Sequence, residues 1–168
     1  MSPSPPGSAG RESTAPRDGR RATVRLVLKA LVIGCGRVGS SIALQLQQEG
    51  WDVTVVDENE DALSRLGENW PGTFIVGHGM DADILREGGI EEVDAVVVAT
   101  DGDNTNIVIG QVAQKRFDVR CVVVRVLDPA RARFYEERGL QTVCPTSVAI
   151  DTLLESARAC AIPASGGV

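Results

Sequence analysis

The sequence predicts an α/β protein, doubly wound around a mainly parallel six-stranded sheet and ending in a C-terminal helix. Three observations point to this. Short β-branched runs alternate with helical segments from Val24 onward, the pattern of strands joined by crossover helices. The run Ala95-Val-Val-Val-Ala99 is apolar on both faces, as a central parallel strand should be. Finally, the glycine pattern Gly34-Cys35-Gly36-Arg37-Val38-Gly39 lies where the first strand hands over to the first helix.

The elements follow in order. Strand one is expected over Lys29 to Ile33, and the first helix over Val38 to Glu49, with Ser40 to Leu46 amphipathic. Strand two, Asp52 to Val56, ends on Asp57, and a helix follows from Asn59 to Leu66. Strand three, Thr73 to Val76, runs into Gly77-His78-Gly79. A short helix, Ala82 to Glu87, precedes strand four, Ala95 to Ala99. The polar turn Thr100 to Asn104 opens a helix reaching Lys115. Strand five is Cys121 to Val126. Asp128-Pro129 starts the next helix, with Pro129 suited to its first turn, and Gly139 ends it. Leu140 to Val143 is strand six, and the last helix spans Ser147 to Ala159.

In a dinucleotide fold the glycines of G-x-G-x-x-G have separate tasks. The first makes the tight turn, the second lets backbone approach a pyrophosphate, and the third lets helix and strand pack closely. Phosphates then sit at the helix N-terminus, where unpaired N–H groups and the helix dipole favour negative charge. Asp57 stands at about the 20-residue spacing expected of the acid that binds a ribose. A carboxylate there accepts from the 2′- and 3′-hydroxyls and repels a 2′-phosphate, so NAD or an adenine ribonucleotide is favoured over NADP. The alternative is that Asp57 merely caps the following helix. All the strand-to-helix turns fall on one edge of a Rossmann-like sheet, where open α/β folds bind ligands. Gly34 to Gly39, Asp57, Gly77 to Gly79, Thr100 to Asp103 and Arg125 share that edge, a grouping that packing alone does not readily explain.

The chain has 168 residues, enough for one domain with a real core. No stretch of about 18 apolar residues spans a membrane. The net charge of −6 argues against a nucleic-acid footprint. Residues 1–23 form a Pro-, Ser-, Gly- and Arg-rich tail expected to be disordered. Residues 24–146 form the nucleotide-binding domain, and 147–168 the terminal helix and a short tail. Arg20-Arg21, an apolar segment and Gly34-Cys35 also resemble a twin-arginine export signal. Cleavage before Cys35 would destroy the first strand and the glycine loop, so that reading is not adopted. The four cysteines lack a C-x-x-C pair, and only one histidine is available, so metal ligation is not expected. The expected setting is a reduced, cytosolic one. Cys121 reads as a small core residue. Cys35 reads as a residue small enough for the turn, with oxidation sensing as the alternative.

Arg37 is placed to reach a terminal phosphate or a neighbouring subunit, or else to be a solvated loop residue. Arg125 ends a buried-looking strand and needs a partner, either a phosphate or a carboxylate such as Asp101. His78, between two glycines, reads as a loop residue near the adenine, because no carboxylate orienter for catalysis is identifiable. Thr100 and Asp101 are placed to meet the nucleotide through a hydroxyl or an amide; the alternative is a turn dominated by Asp103 capping the next helix. The last helix carries a stripe at Val148, Ile150, Leu153, Leu154 and Ala157. It packs either on its own sheet or on a partner's.

Several stretches together resemble the nucleotide-binding N-terminal domains of potassium-transport regulators, the TrkA-N or RCK-N family. They are Gly34 to Gly39, Val55-Val-Asp57, and the run Gly77-His-Gly-Met-Asp-Ala-Asp-Ile-Leu-Arg-Glu-Gly-Gly-Ile90. Asp94 to Thr100, Asp103-Asn-Thr-Asn106, and Arg125-Val-Leu-Asp-Pro129 with Gly139 and Pro145 complete the set. The resemblance implies a non-catalytic regulatory subunit that binds NAD(H), or ATP/ADP, through Gly34 to Val38, Asp57, Thr100 with Asp101, and Arg125. It also implies dimerisation through Ser147 to Ala159. Such subunits form rings on the cytoplasmic, inner face of the membrane against a potassium transporter or channel subunit, with nucleotide exchange changing the angle between them. This sequence holds one such unit without a second ligand-binding domain, so a second, related regulatory subunit is one way to complete a ring. The competing expectations are a small NAD-dependent oxidoreductase and a stand-alone nucleotide or redox sensor with another partner.

Overall fold

The structure is a computed structural model that describes residues 27–161. The tail expected over 1–23 and the end of the C-terminal segment after 161 lie outside the described residues.

Six strands, β1 (Lys29–Ile33), β2 (Asp52–Asp57), β3 (Thr73–Val76), β4 (Ala95–Val98), β5 (Cys121–Arg125) and β6 (Gln141–Val143), form one sheet. Their order is β3-β2-β1-β4-β5-β6 and every pairing is parallel. The helices are α1 (Arg37–Gln48), α2 (Ala82–Glu87), α3 (Asp103–Lys115), α4 (Pro129–Glu136) and α5 (Pro145–Ala161). The helix expected between β2 and β3 is present over Glu60–Leu66 and winds as a 3-10 helix. Asn59 caps it by accepting from the Asp61 amide, and Gly67, at φ 88°, stops it. Its i→i+3 winding is long for the type, and no apolar period in the sequence announced it.

Side-chain alternation builds two cores. Ala30 and Val32 of β1 join Val53, Val55, Ala43 of α1 and Ala62 on one face. Leu31 and Ile33 join Val96, Val98, Val122 and Val124 against Leu85 of α2 and Ile107, Ile109 and Ala113 of α3 on the other. Each such Val, Leu or Ile side chain taken out of water contributes about 1.5–3 kcal/mol, so β1, buried from Ala30 to Ile33, anchors the sheet. Cys121 departs from the expectation: it is exposed at the start of β5, because the inward positions of that strand belong to Val122 and Val124.

The strand order reverses between β1 and β4, so the loops leaving their carboxyl ends diverge and open a crevice. α5 does not pack on its own sheet. None of its residues is buried, and Val148, Ile150, Leu153 and Leu154 are each about half exposed or more. Pro145 starts this helix, two residues before the expected Ser147, consistent with the preference of proline for the first turn.

Candidate functional site

The three loop glycines have different physical reasons for being glycine. Gly34 adopts φ 98°, and a Cβ there would lie 2.7 Å from the Thr100 amide nitrogen. At Gly39 a Cβ would lie 1.8 Å from the Gly34 carbonyl oxygen, so this glycine sets the close approach of α1 to β1. Gly36 differs. It has an ordinary φ of −72°, and a Cβ built on it meets nothing within 4 Å. The protein's own packing does not require glycine there. Gly36 is also the N-cap of α1 and supplies no side-chain cap, which leaves the amides of that helix end without a side-chain partner. Packing does explain two other glycines of the edge: a Cβ on Gly77 would strike Ile84, and one on Gly79 would strike Ile33.

Asp57 already accepts two backbone hydrogen bonds, from the Cys35 amide (2.6 Å) and from the Asn59 amide (2.9 Å). It therefore ties the glycine loop to the end of β2. Each carboxylate oxygen keeps a lone pair for a further donor. The capping alternative is corrected, since Asn59, not Asp57, caps the 3-10 helix.

Two adjoining clefts open over the carboxyl edge. One, of about 220 Å³, is lined by Gly34, Asp57, Glu58, His78, Thr100 and Asp101 among others. The other, of about 300 Å³, is lined by Cys35, Gly36, Asp57, Asn59, Arg65 and Asp101 among others. Asp57, Glu58 and Asp101 belong to both. A broader trough of about 930 Å³ beside the β3 edge, lined by Leu63, Trp70 and Phe74 among others, contains none of the sequence-predicted site residues. Arg37 and Val38 are exposed at the start of α1 and line neither cleft.

Arg125 forms part of the wall rather than the lining. Its Nη2 donates to the Thr100 carbonyl at 2.6 Å and lies 3.5 Å from Asp101 Oδ1, the carboxylate expected from the sequence. Its Nε is buried without a hydrogen-bond partner among the described residues. His78 accepts from the Met80 amide through Nδ1 (3.2 Å), and its Nε2 lies 3.8 Å from Glu58. A carboxylate neighbour is thus present, although on an exposed pair.

Sequence reasoning gave Asn106 no task. The structure buries it to 1% exposure. Its Oδ1 accepts from the Thr100 amide (3.0 Å) and hydroxyl (2.5 Å), and its Nδ2 donates to the Thr100 and Arg125 carbonyls, each at 2.9 Å. The ends of β4 and β5 are stitched together by this one side chain. The available signal was a polar residue beside Ile107 at the start of an apolar helix face. Asp103 does not cap α3 either; its carboxylate accepts from the amides of Leu127 (2.7 Å) and Asp128 (3.0 Å).

Cys35 is fully buried and donates from Sγ to the Ala62 carbonyl at 3.3 Å. Burial, assisted by the Asp57 charge and opposed by Arg65, pushes its thiol up to about 11, which disfavours the reactive thiolate. No cluster of three or more potential metal ligands occurs among the described residues.

Residues 30–146 match the family model of the TrkA-N domain. The chain belongs to the TrkA-N family. This TrkA-N chain is 41% identical over 124 residues to the Trk system potassium uptake protein TrkA of Streptomyces coelicolor, covering 74% of this chain and 56% of that protein. It therefore spans about half the length of that relative. Its fold resembles the C-terminal domain of Kef from Shewanella denitrificans in an AMP-bound form (TM-score 0.68, 19% identity, 80% of this chain and 82% of that one). It also resembles GsuK bound to ADP (TM-score 0.64, 22% identity, 75% and 32% covered). A structure of the GsuK channel bound to NAD aligns at TM-score 0.56 and 18% identity, over 71% and 22% of the chains. At those identities the likeness to solved structures establishes the TrkA-N fold alone. No helix among the described residues is long and apolar enough to cross a membrane.

Proposed function

We propose that this TrkA-N chain is a nucleotide-sensing regulatory module of a potassium-uptake system, without catalytic activity of its own. Gly36 carries the reading. It is a glycine that the fold itself does not need, at the uncapped N-terminus of α1 and beside the Asp57 carboxylate. A pyrophosphate approaching those amides supplies the missing reason for glycine. Asp57 accepts the ribose hydroxyls, Gly34 to Val38 face the phosphates, and Thr100, Asp101 and His78 line the adenosine side, with Arg125 bracing their turn. The ligand is NAD(H), with ATP or ADP as the alternative.

The relatives' role in potassium uptake supplies the biological direction. The bare face of α5 supports pairing with a second copy. Residues 24–146 then act as the sensing domain and 147–168 as the contact helix, peripheral to the cytoplasmic face of a membrane potassium transporter. Assembly extends to a ring, formed with like chains or with a related subunit. Regulation requires that nucleotides bind two subunit arrangements with different affinity, since equal binding shifts nothing.

Thermal-shift titration with NAD, NADH, ADP, ATP and NADP tests this. A ligand at a hundred times its Kd adds about 2.7 kcal/mol, a rise of roughly 5–10 °C for a chain of this size. NADP should give the smallest rise. A flat response to all five overturns the proposal.

A further inference from the structure

The first turn of α3 is bonded on one side to the cleft, at Thr100, and on the other to segments that line neither cleft. Asn106 grips Thr100 on one side and the Arg125 carbonyl on the other. One turn earlier, Asp103 holds the amides of Leu127 and Asp128 in the β5–α4 crossover. That crossover is in turn bonded to the root of α5. The Val126 amide donates to the Val143 carbonyl at 3.0 Å. Cys144 Sγ donates to the Leu127 carbonyl and accepts from the Ser147 amide, each at 3.4 Å. Beyond that root α5 buries no residue, so its direction is set where it leaves β6.

We propose that Asp103 is a positioning residue that couples occupancy of the Thr100–Gly102 turn to the angle of α5. The inference rests on the nucleotide reading above and adds a route for its signal. Asp103 and Asn106 are fixed to one helical turn, so a ligand that draws Thr100 toward itself moves Asn106, the α3 N-terminus and Asp103 together. Asp103 then displaces Leu127 and Asp128, and Leu127 carries Cys144 and the start of α5. No side chain on this route beyond Thr100 and Arg125 has a part in holding the nucleotide. Coupling can therefore be removed while binding stays, and coupling energies between distinct sites commonly correspond to about 5–150-fold in affinity.

Hydrogen exchange by mass spectrometry on the full chain, with ADP and with NADH as separate probes, tests the route. In the unmodified protein the nucleotide should slow exchange at Gly34–Gly39 and Thr100–Thr105 and alter exchange over Val148–Leu154 at least threefold. Asp103→Ala should keep the cleft protection and a Kd within threefold while losing the α5 response. At the far end Cys144→Val should lose the same response, and Cys144→Ser, which restores a donor and an acceptor, should keep it. This pair carries the test if Asp103→Ala does not fold. An undiminished α5 response in both Asp103→Ala and Cys144→Val overturns the inference, as does a protected cleft with a silent α5 in the unmodified protein. A cleft that no nucleotide protects is a different result: the nucleotide reading falls, and the coupling falls with it.

Discussion

Alanine at Gly36 and alanine at Gly39 should behave in opposite ways. At Gly39 the added Cβ would sit 1.8 Å from the Gly34 carbonyl oxygen, against a close C···O approach of about 3.3 Å. Relief requires α1 to retreat from β1 by roughly 1.5 Å. Overpacking of this kind costs about 1–3 kcal/mol, a fall in Tm of roughly 2–12 °C. At Gly36 the Cβ meets nothing within 4 Å and φ is −72°. Alanine there loses some N-cap preference, about 0.5–1 kcal/mol, and regains about 0.4–1 kcal/mol from the stiffer unfolded chain. The ligand-free Tm should thus move by no more than roughly 3 °C. The methyl group does, however, occupy the space where a pyrophosphate would meet the backbone. Binding should weaken at least tenfold, or about 1.4 kcal/mol. Scanning fluorimetry gives the two Tm values and isothermal titration calorimetry with NADH and ADP gives the Kd. A Gly36→Ala protein that binds like the unmodified one, or that is as unstable as Gly39→Ala, refutes the reasoning.

Three further outcomes follow from the same geometry. Asp57→Asn can accept only one of the two amides now held by the carboxylate, and a hydrogen bond to a charged group is worth about 1.5–3 kcal/mol. Calorimetry should show the preferred nucleotide at least tenfold weaker and a Tm lower by several degrees, with NADP discrimination reduced. If the proposed pairing through α5 holds, the unmodified protein should scatter light as a dimer at micromolar concentration, and Leu153→Asp, on the exposed stripe of α5, should scatter as a monomer with its circular dichroism kept. Cys35 favours the folded state only while protonated. Its folded value of about 11 exceeds the unfolded 9.0, so stability is fully present below pH 9 and falls as pH rises toward 11. Urea midpoints across that range should decline in the unmodified protein and flatten in Cys35→Ala.

Much of the fold was legible because the responsible signals are local. β-branched runs located the six strands, and Gly34, Asn59 and Pro129 marked turns and helix starts with a direct steric or capping cause. Features set by distant partners were less visible. Asp57 looked like a ribose acid or a helix cap, and only the fold shows it also holding the amide of Cys35, a residue 22 positions earlier. Asn106 looked like one more polar residue in a polar turn; its burial depends on β4 and β5 ending side by side. Cys121 looked buried because its strand is apolar, but strand alternation turned it outward. The α5 stripe could be read from the sequence. Its lack of cover on its own chain could not, because that depends on where the helix leaves β6.

The central claim is that the carboxyl edge of this sheet grips an adenosine-bearing nucleotide. Isothermal titration calorimetry of the unmodified protein with ADP, NADH and NADP addresses it most directly. The account predicts saturable one-to-one binding of ADP or NADH, with NADP at least tenfold weaker. Absence of binding heat for all three across several temperatures, or NADP as the tightest ligand, would contradict it.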